Sequence, residues 1–243
     1  MKYLSIILFA ILFSADALFG QNKNVLEDLD YNTEYTFGFN WNTNGDILGG
    51  FNFKYSKRRR ANIFDAYMVE LVNVKHPKEM RISHDSTVNQ FVMHKQNYLF
   101  VLRPQYGKEI VLFRKDKGEG VQMNLMLAAG PSIGIVKPYF IYYGINSLNY
   151  QTVAYDPDKT SILTNTYGSA GFFDGLSQSK LRLGLNAKVS CLFEFGAFSN
   201  NLTGAEIGFL AEAFTKKIII LSQESNRNIF FSAFINVYFG ARE

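Results

Sequence analysis

Residues Leu181 to Phe195 alternate: Leu181, Leu183, Leu185, Ala187, Val189, Cys191, Phe193 and Phe195 are apolar, with Arg182, Gly184, Asn186, Lys188, Ser190, Leu192 and Glu194 between them. A β-strand points successive side chains to opposite faces, so this stretch has one hydrocarbon face and one face that carries both signs of charge; Leu192 alone breaks the pattern. The run is longer than the roughly 9–11 residues that a tilted strand needs to cross a bilayer. It suits the wall of a transmembrane β-barrel.

The same period recurs along the chain. Tyr35, Phe37, Phe39 and Trp41 face one way, Thr43-Asn44-Gly45-Asp46 supplies an Asn-Gly turn, and Ile47, Gly49, Phe51, Phe53 and Tyr55 return. A third strand spans Asn62 to Val74; Asp65 and Glu70 fall on its opposite faces, which requires one of them to sit near a rim or beside a bulge. Asn97 to Lys115 reads as one long strand broken at Pro104-Gln105-Tyr106-Gly107, with two strands as the alternative. Val121 to Tyr143 is strand-like but irregular past Gly130-Pro131, and Ala205–Ala213 and Asn228–Gly240 follow the 181–195 strand. The expected architecture is all-β: a closed antiparallel up-and-down transmembrane barrel of about eight strands, with ten as the alternative count. Turns near 57–60, 116–120 and 197–202 are short, and loops near 75–96, 144–178 and 215–227 are long. Short turns on the periplasmic side and long loops outside are the rule for bacterial outer-membrane barrels.

Other features set the class. Met1-Lys2-Tyr3 and the apolar run Leu4 to Phe13 read as a secretory signal peptide of residues 1–20, cleaved near Gly20-Gln21, leaving 21–243 as the barrel domain. Beyond it no window reaches 18 apolar residues, so membrane residence falls to strands. Charged residues are 19% of the chain and aromatics 16%, against about 25% charge in a soluble domain. The single Cys191 excludes an internal disulfide, and its register places it on the lipid side. Basic residues are scattered except for Lys57-Arg58-Arg59-Arg60, read as a tight turn that meets water or phosphate headgroups; no nucleic-acid partner is expected.

With these strands and loop lengths the chain resembles the small eight-stranded outer-membrane barrels of the OmpA and OmpX types. The Phe/Tyr/Asn-rich texture, Gln21, and the phrases His76-Pro77-Lys78-Glu79 and Leu102-Arg103-Pro104-Gln105-Tyr106-Gly107 also look like barrels of Bacteroidetes-type bacteria. One departure is the end, where Tyr238-Phe239 is followed by Gly240-Ala241-Arg242-Glu243. The resemblance implies an integral protein of the cell outer membrane.

On the polar face Lys54, Arg182 and Lys188 oppose Glu194, Glu206 and Glu212. Buried charges must be paired, and an eight-stranded barrel has an interior that side chains fill, so these six are expected to form a structural salt-bridge network. The polar segment 75–96 holds His76, His84 and His94 with Ser83, Asp85, Ser86 and Glu79. A solvated loop is the favoured reading; a membrane-embedded lipid hydrolase using this loop is the alternative. The histidine spacings match no metal motif, and no Gly-x-Ser-x-Gly elbow is present. Asp156-Pro157-Asp158 has too few ligands for calcium and reads as a turn. The expectation is a non-enzymatic barrel without cofactor or metal, surrounded by outer-membrane lipid, with long loops that meet an envelope or secretion-system protein or the outside medium. A narrow channel, and a soluble lipocalin-like barrel with its faces reversed, are the remaining alternatives.

Overall fold

A computed structural model describes residues 31–45, 49–83, 89–114, 120–146, 149–158, 165–195 and 201–243. The signal-peptide segment, Asp46 and Ile47 of the first hairpin, His84, Asp85 and Ser86, and most of the turns near 116–120 and 197–202 lie outside the described residues. Among the described residues no helix is long and apolar enough to cross a membrane.

The strands are β1 (Thr33–Asn42), β2 (Gly50–Arg60), β3 (Ile63–Val74), β4 (Arg81–Ile82), β5 (Phe91–Val92), β6 (Asn97–Phe113), β7 (Gln122–Pro138), β8 (Phe140–Asn146), β9 (Asn149–Ala154), β10 (Thr166–Ser169), β11 (Lys180–Glu194), β12 (Asn201–Ile218) and β13 (Arg227–Arg242). Eight of them close into an antiparallel barrel in the order β1-β13-β12-β11-β7-β6-β3-β2. Each barrel strand therefore pairs with its predecessor and successor among the eight, and β13 closes on β1 from Glu34↔Arg242 to Asn42↔Phe234. This is the up-and-down barrel of the expected class and strand number.

Closure sets the tilt. Cross-strand partners followed once around from Thr33 run through Lys57, Asp65, Lys108, Leu127, Val189, Phe209 and Ala233. Ala233 then accepts a hydrogen bond from the Thr43 amide, so the circuit returns to the first strand ten residues further along. A stagger of that size in an eight-stranded barrel inclines the strands within the roughly 35–45° range of closed barrels.

The segment around Pro104 is one continuous strand. The β6–β7 ladder lapses between Leu102↔Ile133 and Tyr106↔Ala129 and resumes in the same register, which sets Pro104 opposite Pro131. Neither proline has an N–H to give, so the two missing donors coincide and the interruption stays local. Gly130 permits the approach: a Cβ there would lie 2.0 Å from the Pro104 carbonyl oxygen.

Several element ends differ from the sequence reading. Lys57 to Arg60 belong to β2, which bulges between Arg58 and Arg60, and the turn is Ala61-Asn62. β7 stops at Pro138, whose ring supplies no N–H to continue the ladder, and the chain restarts as β8. The segment read as a polar loop over 144–178 carries part of a three-stranded sheet of order β10-β8-β9 and a 3-10 turn at Leu176–Gln178, and 75–96 carries the β4–β5 hairpin. These segments fold because their aromatic residues meet each other across loops, which strand periodicity does not register. β12 extends to Ile218.

The two faces of the barrel are opposite to those of a soluble barrel. Outward residues are large and apolar: Leu185 is 70% exposed and Phe231 74%, with Phe37, Phe53, Leu71, Leu183 and Phe209 also exposed. Inward positions carry Glu34, Lys54, Glu70, Arg103, Glu109, Lys188, Glu194, Glu206, Glu212 and Arg242, all buried. A lipocalin-like barrel would show the reverse. Of the two carboxylates of β3, Glu70 points inward, whereas Asp65 stands on the outer face two residues from the strand start, ion-paired with Lys108 and accepting a hydrogen bond from the Tyr106 hydroxyl at 3.1 Å.

Candidate functional site

The inward charges form two chains of alternating sign. In the chain nearer the short-turn end, Glu109 meets Lys54 at 2.6 Å, Lys54 meets Glu34 at 3.8 Å, and Arg242 donates to Glu34 at 2.8 Å and to Glu194 at 2.7 Å. Ser56 and Asn124 donate to the Glu109 carboxylate at 3.2 and 2.7 Å. The Arg242 guanidinium lies 4.0 Å from the Tyr31 ring centroid, and Tyr31 stacks on Phe64 at 5.5 Å.

Higher in the barrel, Arg103 grips Glu212 with two parallel hydrogen bonds of 2.8 and 2.9 Å and reaches Glu70 at 3.6 Å. Lys188 joins Glu70 at 2.8 Å to Glu206 at 3.1 Å. The terminal carboxylates are held further: Ser132 donates to Glu212 at 2.6 Å, and Ser190 and Asn236 donate to Glu206 at 2.6 Å each. Each chain contains three carboxylates and two cations, so each keeps every carboxylate against a cation while carrying a formal charge of −1.

One apolar layer lies between the charged chains and another lies above them. Met68, Met126, Leu192 and Tyr238 pack together in one cluster, and Val72, Val74, Leu99, Val101, Phe214 and Ile218 form another toward the loop-rich end. The void between the chains, lined by Lys54, Met68, Glu70, Lys188, Leu192 and Tyr238, measures about 10 Å³. One water needs about that much. The interior at this level is filled by side chains.

Of the six residues singled out in the sequence, Lys54 and Glu194 lie in the lower chain, and Lys188, Glu206 and Glu212 in the upper one. Arg182 is the exception: it shares their face but stands half-exposed two residues from the start of β11, and its guanidinium donates to the Leu181 carbonyl at 3.4 Å. The strand begins above the charged layers, so the inward register carries Arg182 to the rim. Glu34, Glu70, Arg103, Glu109 and Arg242 complete the chains and were not singled out. Continuing the even-numbered face of the first strand back to Glu34, and that of the last strand on to Arg242, would have found two of them.

At the loop-rich end the connections pack into a cap. Phe91, Tyr139, Ile141 and Tyr155 form its core, with Ile82, Val92, Tyr98, Tyr143 and Val153 against them. The Tyr139 hydroxyl accepts from the Val92 amide at 2.9 Å, and burial pushes its pKa up, so it stays neutral. Lys95 is buried beneath the cap with its ammonium 2.7 Å from Glu79 and 4.2 Å from the Tyr98 ring centroid. Burial lowers the Lys95 pKa, the charges of Lys75 and Arg81 add to the lowering, and Glu79 opposes it.

The histidine segment is part of this packing. His76 Nδ1 accepts from the Lys78 amide at 3.2 Å, Tyr155 Oη lies 3.4 Å from His94 Nδ1, and the His94 carbonyl accepts from Ser222. Among the described residues no group of His, Cys, Asp and Glu is placed to hold a metal ion. Asp156 makes a turn, accepting from the Asp158 amide at 3.1 Å. Among the described residues of the cap, a cleft of about 270 Å³ is lined by Glu79, Arg81, Lys95, Tyr98 and Tyr139, and another of about 440 Å³ by Asn44, Lys75, His76, Glu79 and Arg81.

No protein-family model matches the chain, and no curated protein matches it. Among solved structures it aligns with Ail, the attachment invasion locus protein of Yersinia pestis, in complex with the heparin analogue sucrose octasulfate, at a TM-score of 0.41 and 11% identity over 88% of this chain and 99% of that one. It also aligns with Neisserial surface protein A, at a TM-score of 0.41 and 8% identity over 88% of this chain and 97% of that one.

Proposed function

We propose that this chain is a non-enzymatic integral barrel of the bacterial outer membrane, with a filled interior and a folded extracellular cap that meets a partner from the envelope or the outside medium. The observation that carries the reading is the inversion of the two faces. Large apolar side chains such as Leu185, Phe209 and Phe231 point away from the barrel, and ten charged groups are buried inside it. In water the outer wall would expose a contiguous apolar surface far beyond what a soluble monomer tolerates; in lipid it is the surface the solvent requires.

The short connections then face the periplasm and the capped end faces outward. The filled charged layers favour a structural interior over a narrow channel. His76 and His94 engage a local turn and the cap core, which favours a packing role over a lipid hydrolase. The cap, with clefts of mixed charge among its described residues, is the surface left for recognition, and functional loops on a rigid scaffold are a general arrangement.

Fractionation of native cells tests the reading, with heat-modifiable gel migration and protease accessibility on intact cells. The expected result is an outer-membrane protein that migrates faster unboiled and is clipped only in the cap segments. A soluble periplasmic monomer would overturn it.

A further inference from the structure

The segment between β10 and β11 has an apolar tip that neither the barrel nor the cap core absorbs. Phe172 is 59% exposed, Phe173 78% and Leu176 46%. The tip is a built turn. The Asp174 carboxylate accepts a hydrogen bond from the Gly171 amide at 2.7 Å, and Gly175 adopts φ 78°, the left-handed region that favours glycine. A Cβ on Gly175 would lie 2.2 Å from the Phe140 ring, so the turn is pressed against the start of β8.

Its direction is set by aromatic contacts. The Tyr98 ring meets Tyr139 of the cap core at 5.4 Å and Phe100 of the barrel wall at 6.1 Å; Phe100 meets Phe172 edge-on at 5.6 Å, and Phe172 meets Phe173 at 5.3 Å. The Lys137 ammonium sits 5.5 Å from the Phe172 ring centroid and fixes it from the other side. Phe100 begins the apolar part of a cross-strand row, Asn73↔Phe100↔Ile135↔Leu181, and the row Leu71↔Leu102↔Ile133↔Leu183 lies directly beneath it. Leu181 and Leu183 are among the most exposed apolar residues of the wall. The turn therefore leaves the cap, descends onto the top of the apolar wall and extends the same surface sideways with two phenylalanines and a leucine.

We propose that the Phe172–Leu176 turn is a lipid anchor, which inserts Phe173 and Leu176 into the outer leaflet beside β6, β7 and β11 and ties the cap to the bilayer. The inference rests on the membrane reading of the barrel. Its physical basis is continuity: the turn adjoins a surface that already faces acyl chains. An exposed phenylalanine pair at that height gains by burial about 5–10 Å into the headgroup and acyl boundary. Phe and Leu are among the residues that segments lying in that zone bury on their apolar face.

The chain has one tryptophan, Trp41, on the outer face of β1, where it reports barrel insertion independently of the turn. The full chain is folded into phosphatidylcholine vesicles with and without lipid brominated near the headgroup, first unaltered and then as Trp41→Phe/Phe173→Trp, with heat-modifiable migration confirming that each is folded. Quenching of Trp41 reports barrel insertion. The expected result for Phe173→Trp is loss of about half its emission in brominated vesicles, with a blue-shifted maximum, as for a ring at the interfacial depth. Quenched Trp41 with an unquenched, water-like Trp at position 173 overturns the anchor and leaves the barrel reading in place. An unquenched Trp41 overturns both.

Discussion

Lys188→Met removes the cation that joins Glu70 to Glu206 while keeping an unbranched side chain one heavy atom shorter. Its Nζ lies 2.8 Å from one carboxylate and 3.1 Å from the other. At an effective dielectric near 20, each contact is worth about 5–6 kcal/mol of gross attraction, and most of that offsets the several kcal/mol that each buried ion loses on leaving water. The two carboxylates are left unequal. Glu70 keeps Arg103 at 3.6 Å, whereas Glu206 keeps the neutral donors Ser190 and Asn236 and only the longer-range attraction of Lys54 across the void. An uncompensated buried charge costs about 3–5 kcal/mol, which at about 1–3 kcal/mol per molar urea moves the unfolding midpoint down by roughly 1–5 M. The assay is equilibrium urea unfolding from lipid vesicles followed by Trp41 emission. Adding Glu206→Gln to Lys188→Met removes the stranded charge and is expected to return about 2 kcal/mol. A loss below about 1 kcal/mol for Lys188→Met, or a double variant less stable than the single one, would refute the alternating-chain account.

Gly130→Ala places a methyl group against the Pro104 carbonyl, 2.0 Å away; the expected loss is about 1–3 kcal/mol of overpacking strain in the same unfolding assay, and an unchanged midpoint would show that the two prolines do not face each other this closely. In planar bilayers the folded protein is expected to give no discrete current steps, because the void between the charged chains is about 10 Å³; stable single-channel openings would count against a filled interior. The cap is expected to tighten as pH rises toward the ordinary lysine value of about 10.4. Burial lowers the Lys95 pKa, so above that lowered value the closed cap binds fewer protons than an open one, and closure is favoured as pH increases. Above about 10 Tyr139, whose pKa burial raises, acts in the opposite sense. Hydrogen exchange of cap amides, corrected for intrinsic rate, reads this out, and a pH dependence that survives in Lys95→Met would assign it to another group.

What was legible in the sequence was the local part. Period-2 alternation places Leu181 and its odd-numbered companions on one face whatever the rest of the chain does, because side-chain direction in a strand is a property of the backbone alone. Loop asymmetry was legible for a similar reason, since strand ends are local signals. The strand runs on through the proline at position 104, which stands across from a second proline, a pairing that depends on register. The tertiary structure alone decided which charges meet. Glu34 and Arg242 are 208 residues apart in sequence and 2.8 Å apart in space because β13 closes on β1. The same stagger that closes the barrel leaves Arg182 at the rim while Lys188, on the same face, sits between two carboxylates. The cap was the least legible element, because its core is made by Phe91, Tyr139 and Tyr155 from separate connections and no periodicity within one segment announces a contact with another. Sequence determined which way each residue of the wall points; closure and loop packing determined at what depth it stands and which residue it finds there.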